Sequence, residues 1–193
     1  MVTKYSYIYE TVCHDPGGRG ILRNLPPPDL ISVAEAILQS NDVVIVTGFP
    51  IAGVGIGETD GPPGAARIAA MLKALGKRPL VVTDGLSADL VAGALSACAP
   101  GTPVLGLPLP GGRSAAPNLT ADLVISIERP GRGADGHYRN MRGEIIDYMT
   151  ADTDWLLDIA PSVAIGDGGN ELGMALVNRR LSARTATHTL VSG

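Results

Sequence analysis

Cysteine and aromatic residues are scarce in this chain. Its 193 residues include two cysteines, one tryptophan and one phenylalanine. Cys13 and Cys98 do not form a C-x-x-C pair, which argues against a disulfide framework or a zinc knuckle and indicates ordinary thiols in a reducing compartment. With so few aromatic side chains, the core must consist mainly of Ala, Val, Ile and Leu, as buried parallel sheets usually do.

Long apolar runs and an excess of positive charge are also absent. No apolar run approaches the roughly 20 residues that span a bilayer, and the first 15 residues lack the apolar stretch of a signal peptide. The net charge of -4 argues against a nucleic-acid or anionic-membrane partner, because both favour a basic surface, but it does not exclude a small anionic substrate. The sequence therefore predicts a cytoplasmic protein, and it leaves a homo-oligomeric state open.

The length suits one sizeable core, so we predict a single domain over residues 1–193. Continuous apolar runs alternate with stretches whose apolar residues recur at helical spacing. This alternation predicts βαβ units, and hence an α/β fold with a doubly wound, mostly parallel sheet and helices on both faces. We expect strands near residues 42–49, 78–85, 102–110, 121–128 and 161–166, and helices near 29–39, 62–75, 86–99, 152–160 and 171–180.

Polar side chains follow most of the predicted strands. In open parallel sheets, ligands bind beyond the carboxyl ends of the strands. We therefore expect these side chains to converge on one edge although they are distant in sequence: Glu58, Asp60, Asp84, Glu128, Arg129, Asp167, Asn170 and Glu171.

The stretch "GETDGPPGA", residues 57–65, places two acids just before a predicted helix that Pro62 opens. Glu58 and Asp60 have two interpretations: they cap the helix N-terminus, or they act in a site. The glycine-rich segment 53–61 matches neither nucleotide-binding fingerprint, so we interpret it as a loop over the site.

The segment 126–143 carries four arginines among several glycines. Guanidinium groups can bind carboxylates or phosphates in a bidentate manner, and a long loop in a compact domain is often functional. The alternative is a solvated loop whose arginines pair with Glu128, Asp135 and Glu144. His14 and His188 are isolated and are interpreted as structural, and no G-x-S-x-G elbow indicates a serine nucleophile.

The segment "IGDGGNELGM", residues 165–174, surrounds a Gly-Gly turn with oxygen ligands. Carboxylate and amide oxygens suit a hard divalent cation such as Mg²⁺ or Mn²⁺. Asn170 has a second interpretation as a helix N-cap with Glu171 in the first turn.

Six motifs occur in an order that resembles the D-glutamate cyclase family: "DPGGRGI", "VTGFPI", "ETDGPPGA", "LVVTDG", "IERPGRGADGHYRNMRG" and "IGDGGNELGM". The resemblance runs from about Cys13 to the C-terminus. It implies a hydro-lyase that converts D-glutamate to 5-oxo-D-proline with loss of water. In the family, the strand resembling residues 187–193 leads into a further segment with Ser, Asn and Trp, and the connection resembling 178–186 is longer. These departures predict a domain that is incomplete at its C-terminus.

This reaction needs a neutral amine, an electrophilic side-chain carboxyl group and residues that bind the α-carboxylate, which does not react. The candidate catalytic acids are Glu58, Asp60 and Asp167. The candidates for binding a small anionic amino-acid substrate are Arg129, Arg132, Tyr138, Asn140, Arg142 and Asn170. Asp167 and Glu171 are the candidate ligands of Mg²⁺ or Mn²⁺. The competing hypothesis is a binding protein or enzyme for another small anionic ligand, phosphorylated or nucleotide.

Overall fold

A computed structural model describes residues 30–174 and 188–191 of the chain, together with Tyr7, Ile8, Glu10, Thr11 and His14. Cys13, the predicted helix beyond Met174 and the connection 178–186 lie outside the described residues. Cys98 is an exposed free thiol.

The described elements alternate as the sequence predicts. The helices are α1 (Leu30–Gln39), α2 (Pro62–Ala74) and α3 (Ala88–Cys98). The strands are β1 (Asp42–Thr47), β2 (Arg78–Asp84), β3 (Val104–Leu107), β4 (Leu123–Ile127), β5 (Ser162–Gly166) and β6 (His188–Val191). Short 3₁₀ helices span Arg113–Ala115, Asp147–Met149 and Asp154–Asp158. Within these described elements, no helix has the length and apolar character needed to cross a bilayer.

The described strands form one sheet in the order β3-β2-β1-β4-β5-β6, and every neighbouring pair is parallel. The chain moves outward from β1 to β3 and then returns to the other side of β1 as β4. Connections from β1 and β4 therefore diverge, which opens a crevice above their carboxyl ends. The predicted α/β fold with a parallel, doubly wound sheet is confirmed.

The central strands β1 and β4 are buried on both faces, which explains why they are continuous apolar runs. Helices α1, α2 and α3 cover one face through small or branched side chains such as Ala65, Ala69 and Val91. The other face packs against Trp155 and Leu156 of the 3₁₀ helix Asp154–Asp158. The helix predicted over residues 152–160 is thus a single 3₁₀ turn, which covers the second face.

Helix α2 begins as predicted at Pro62, but neither nearby acid caps it. Gly61 is the N-cap residue, with φ of 83°, and no side chain caps this helix end. Gly61 has no side chain to accept a capping bond, and Pro62 and Pro63 leave the first two helical positions without an N–H donor. Asp60 Oδ1 instead accepts a bond from the N–H of Gly61 at 2.9 Å. The two acids are therefore available to the crevice.

Gly61 provides a test of this tight entry into α2. A Cβ at this position would lie 2.6 Å from Thr47 Oγ1 and 3.0 Å from Glu128 Cβ. We expect Gly61→Ala to lower the free energy of unfolding by about 2–4 kcal/mol, from the left-handed φ and the steric clash together. Urea denaturation measures this change.

The matched control is Gly53→Ala. Gly53 has a similar φ of 81°, but a Cβ there would meet nothing within 4 Å. We expect a loss of about 1–2 kcal/mol, from the backbone conformation alone. Equal losses in the two variants would show that the contact of Gly61 with β1 and Glu128 is not tight.

Candidate active site

A cleft of about 330 Å³ opens at the carboxyl edge of the sheet. Segments that follow β1, β4 and β5 line it, together with residues 140–144 of the long loop after β4. Phe49, Ile51 and Met141 supply apolar walls. The polar lining consists of Glu58, Asp60, Glu128, Asn140, Arg142, Glu144, Asp167, Asn170 and Glu171.

Negative charge dominates this cleft. Six of its lining residues are acids, whereas Arg142 is the one basic residue among them. Carboxylates at short range raise each other's pKa unless a cation or hydrogen-bond donors compensate. The hydrogen-bond donors and charges around each carboxylate therefore indicate its chemical role.

Glu171 is compensated by backbone donors. The residue is 4% exposed, and its carboxylate accepts bonds from the N–H groups of Asp167, Gly168 and Gly169, at 3.3, 2.5 and 2.7 Å. A Cβ on Gly168 would lie 2.6 Å from Glu171 Oε1, so a side chain there would displace the carboxylate of Glu171. The Gly-Gly turn thus forms a cradle that holds Glu171 in a fixed position.

No backbone donor in the described part of the chain compensates Glu128 in this way. It follows β4 with φ of 44°, the one positive value among the non-glycine residues that the structure describes. Burial, followed by the charges of Glu171 and Asp167, raises the pKa of Glu128 from 4.5 to about 8. Glu128 therefore holds a proton at neutral pH when no cation neutralises the cleft.

Glu58 lies across the cleft at the end of a hairpin. The N–H of Glu58 donates to the carbonyl of Phe49 at 2.7 Å, and Pro50 pairs with Gly57. Partial burial raises the pKa of Glu58, and the charges of Asp60 and Asp167 add to the effect. The segment 53–61, predicted as a loop over the site, thus contributes Glu58 and Asp60 to the cleft lining.

Glu128, Asp167 and Glu171 can share a divalent cation. Each offers a carboxylate oxygen, and these oxygens lie within 4.8 Å of one another. Asn170 Oδ1 is buried and accepts no hydrogen bond from the described groups. Asn170 Oδ1 and Glu171 Oε1 both lie beside Gly168: a Cβ added to this glycine would lie 2.7 Å from the first oxygen and 2.6 Å from the second. These oxygen donors match the preference of Mg²⁺ and Mn²⁺.

The predicted substrate-binding residues divide into two groups. Asn140, Arg142 and Asn170 line the cleft. The Nδ2 group of Asn140 donates to Glu144 at 2.5 Å, and that of Asn170 donates to the carbonyl of Arg139 at 2.8 Å. The guanidinium of Arg142 forms no ion pair with any residue that the structure describes.

Arg129 is not among the residues that line the cleft. Its side chain is fully buried and forms an ion pair with Asp84, whose side chain is also fully buried. Every nitrogen of its guanidinium donates a hydrogen bond within the protein. Arg129 and Asp84, which were expected at the polar edge, therefore face inward and offer no group to a ligand.

Arg132 and Tyr138 also lie away from the cleft lining. The guanidinium of Arg132 stacks 4.5 Å from the centre of the Tyr138 ring and pairs with Asp152 at 3.3 Å. The Tyr138 hydroxyl is within hydrogen-bonding distance of Asp154 at 2.7 Å. Burial and the bond to Asp154 raise the pKa of Tyr138. The two side chains stabilise the loop that presents Asn140 and Arg142.

Glu128 and Glu144 are the site acids that the sequence analysis left out of its catalytic and metal sets. One of the two interpretations of the loop paired its arginines with these acids, although Glu128 was also expected at the polar edge of the sheet. In the structure, Arg139 does pair with Asp135 at 2.6 Å, but Glu128 and Glu144 line the cleft. The position of Glu128, directly after β4 and beside the crevice between β1 and β4, is the sequence signal that marks it.

Comparisons with known proteins agree with the resemblance. The family model described as D-glutamate cyclase-like, C-terminal, matches residues 8–190. The mitochondrial D-glutamate cyclase of Homo sapiens is 34% identical over 186 residues, which cover 84% of this chain. The match spans 30% of the length of that relative.

The raised pKa of Glu128 gives a test in the cation-free protein. The unfolded chain releases this proton near pH 4.5, whereas the folded protein keeps it to about pH 8. The wild type therefore loses stability across that window relative to Glu128→Gln, which cannot ionise. We expect the variant to gain about 1–2 kcal/mol over the wild type between pH 5 and 9, after allowing for solvent screening.

Urea denaturation in a chelator at both pH values measures this gain. Glu35→Gln on the exposed face of α1 is the matched control, and we expect the same difference from the wild type at both pH values. A difference between Glu128→Gln and the wild type that does not change with pH would contradict the raised pKa.

Proposed function

The chain belongs to the D-glutamate cyclase-like family, and from this premise we propose that it closes D-glutamate into 5-oxo-D-proline with loss of water. The observation that carries the proposal is the group of carboxylates at the cleft, two of which have a raised pKa. Acids whose pKa lies nearer neutrality are suited to moving protons at physiological pH.

The reaction joins two ends of one substrate molecule. The amine nitrogen attacks the carbon of the side-chain carboxyl group, a C–N bond forms, and a C–O bond breaks. The ammonium group loses two protons on the way to the lactam, and both leave with the carboxyl oxygen as water. No external oxidant or proton source is needed.

Glu58 is the proposed base for this transfer. Its raised pKa, caused by partial burial with contributions from Asp60 and Asp167, suits a group that takes a proton from the ammonium and releases it to the departing oxygen. Asp60 lies on the same wall of the cleft and shares the relay. The hydrogen bond from the Glu58 N–H to the Phe49 carbonyl holds the backbone of Glu58 in place at the cleft.

Asp167 and Glu171, with Glu128, are the proposed ligands of Mg²⁺ or Mn²⁺. When bound, such a cation supplies positive charge that offsets the charge on the reacting carboxyl oxygens. The net charge of the lining supports this assignment, because six acids and one arginine would otherwise repel an anionic amino acid. Asp167, which the sequence also suggested as a base, lies within the ligand cluster.

The α-carboxylate of the substrate does not react, and we assign its binding to Arg142, Asn140 and Asn170. They lie together on the cleft lining, and the guanidinium of Arg142 can bind a carboxylate in a bidentate manner. Holding the substrate curled matters as much as proton transfer, because an oriented intramolecular attack lowers the barrier by up to about 7–11 kcal/mol.

The competing hypothesis of a phosphorylated or nucleotide ligand has less support. It relied on arginines and helix N-termini. Arg129 is engaged internally, Arg132 is paired with Asp152, and the prolines at the start of α2 remove backbone donors. A cytoplasmic location and a homo-oligomeric state stay predictions.

The activity is tested by incubating the protein with D- or L-glutamate and following 5-oxoproline by chiral chromatography, with Mn²⁺ or with a chelator. We expect product from the D-isomer when Mn²⁺ is present. Glu58→Gln should lower kcat by about 100-fold or more, because it removes the proposed base. Glu35→Gln should retain full activity. No product from either isomer would overturn the proposed reaction.

Cation binding is tested separately by calorimetric titration of Mn²⁺ into the chelator-treated protein. We expect one site per chain and, for Glu171→Gln, a weakening of about 10-fold or more because an anionic ligand is lost. Glu35→Gln is again the control. An unchanged affinity in Glu171→Gln would remove this residue from the ligand set.

A further inference from the structure

Arg129 has an unusual position for a residue next to a candidate site. It directly follows Glu128, yet its side chain has no exposed surface and pairs with the equally buried Asp84. A buried ion pair contributes little net stability in many proteins, because the loss of hydration offsets the attraction between the charges. The pair therefore has a role other than net stabilisation.

The guanidinium of Arg129 connects several separate chain segments. Its Nη1 donates to the carbonyl of Gly48, just after β1, at 2.9 Å, and to Asp84 Oδ2, at the end of β2, at 2.5 Å. Its Nη2 donates to the carbonyl of Ala151 at 2.6 Å, and its Nε donates to Thr153 Oγ1 at 3.0 Å. One side chain thus ties the ends of β1 and β2, and the segment around residue 152, to the end of β4.

The backbone of Arg129 reaches the opposite wall of the cleft. Its carbonyl accepts a bond from the N–H of Leu172 at 2.6 Å, and the N–H of Gly131 donates to the carbonyl of Asn170 at 2.9 Å. These bonds enclose Glu171. A Cβ on Gly131 would lie 2.8 Å from Leu172 Cα, so the two segments are in close backbone contact.

Glu128 precedes this anchor in the left-handed conformation, with φ of 44°. Such a conformation is unfavourable for a residue with a side chain, so neighbouring interactions must hold it. The buried guanidinium on one side and the bonds to residues 170–172 on the other provide that restraint. They keep one carboxylate oxygen of Glu128 within 4.8 Å of one of Glu171, although the two groups repel each other when both are ionised.

We propose that Arg129, paired with Asp84, is a positioning residue that holds Glu128 and Glu171 at the separation needed to bind one divalent cation. It touches neither substrate nor cation. The role in cation binding depends on the proposed function, whereas the anchoring of Glu128 and of residues 170–172 does not.

The first variant for the test is Arg129→Lys. Lysine keeps the positive charge beside Asp84, so no buried charge is left unpaired, but its single ammonium cannot reproduce the planar fork that joins four partner groups. We expect Mn²⁺ to bind about 10- to 100-fold more weakly, as when partners that orient a metal ligand are lost.

A second variant keeps the test valid if the lysine variant folds poorly. Arg129→Met combined with Asp84→Asn removes both charges and keeps an oxygen for the N–H of Ser87, which Asp84 Oδ1 accepts at 3.1 Å. The matched control is Arg78→Met with Asp42→Asn, which removes the exposed pair at the opposite edge of the sheet. We expect the control to bind Mn²⁺ as the wild type does.

Amide hydrogen exchange supplies a readout that does not depend on the cation or on activity. We expect the protection of the Leu172 and Gly131 amides to fall by about 10-fold or more in either Arg129 variant, while Val91 and Leu95 in α3 stay protected. Unchanged exchange at Leu172 and Gly131 would overturn the anchoring. Loss of protection with unchanged Mn²⁺ affinity would overturn the role in cation binding.

If the wild type binds no Mn²⁺, the proposed cation site fails and so does the link from Arg129 to cation binding. The exchange data then still decide whether Arg129 anchors residues 170–172. The two failures are therefore distinguishable.

Discussion

Mutual repulsion among carboxylates is the constraint on which this site depends. Glu128, Asp167 and Glu171 approach within 4.8 Å of one another at the edge of the sheet. Isolated side chains would separate or take up protons rather than stay charged at that distance. The fold must therefore restrain them at the ends of the strands.

Glycine makes two of these restraints possible. Gly168 lets the turn after β5 wrap around the carboxylate of Glu171, and Gly61 lets helix α2 begin against Thr47 and Glu128. The inward ion pair of Arg129 and Asp84 completes the arrangement below the cleft. Acids, glycines and a buried arginine thus act together, although they come from distant parts of the chain.

The fold could be predicted from the sequence because the central strands β1 and β4 are buried on both faces. Each strand is a short, branched apolar run, and helices α1, α2 and α3 follow their predicted ranges closely. The segment around Trp155 was predicted as a longer helix. It is a 3₁₀ turn because its apolar residues pack onto the sheet while Asp152 and Asp154 bond to Tyr138.

The convergence of acids at one edge also followed from sequence, because polar residues after parallel strands share that edge. The direction of individual side chains did not. Arg129 resembles a ligand-binding arginine in sequence, but the left-handed conformation of Glu128 turns the chain so that Arg129 points inward. A single backbone dihedral decides this, and no pattern of residue types encodes it. Glu128 was expected at this edge, but it was missing from the catalytic and metal sets because its raised pKa depends on burial and on acids from other strand ends.

The most direct test of the account is a crystal structure of the protein grown with Mn²⁺, analysed by anomalous scattering at the manganese edge. The account predicts one strong peak bound by carboxylate oxygens of Glu128, Asp167 and Glu171. A cleft without a peak at saturating Mn²⁺, or a cation bound elsewhere, would contradict the claim that the fold brings these acids together to hold a cation.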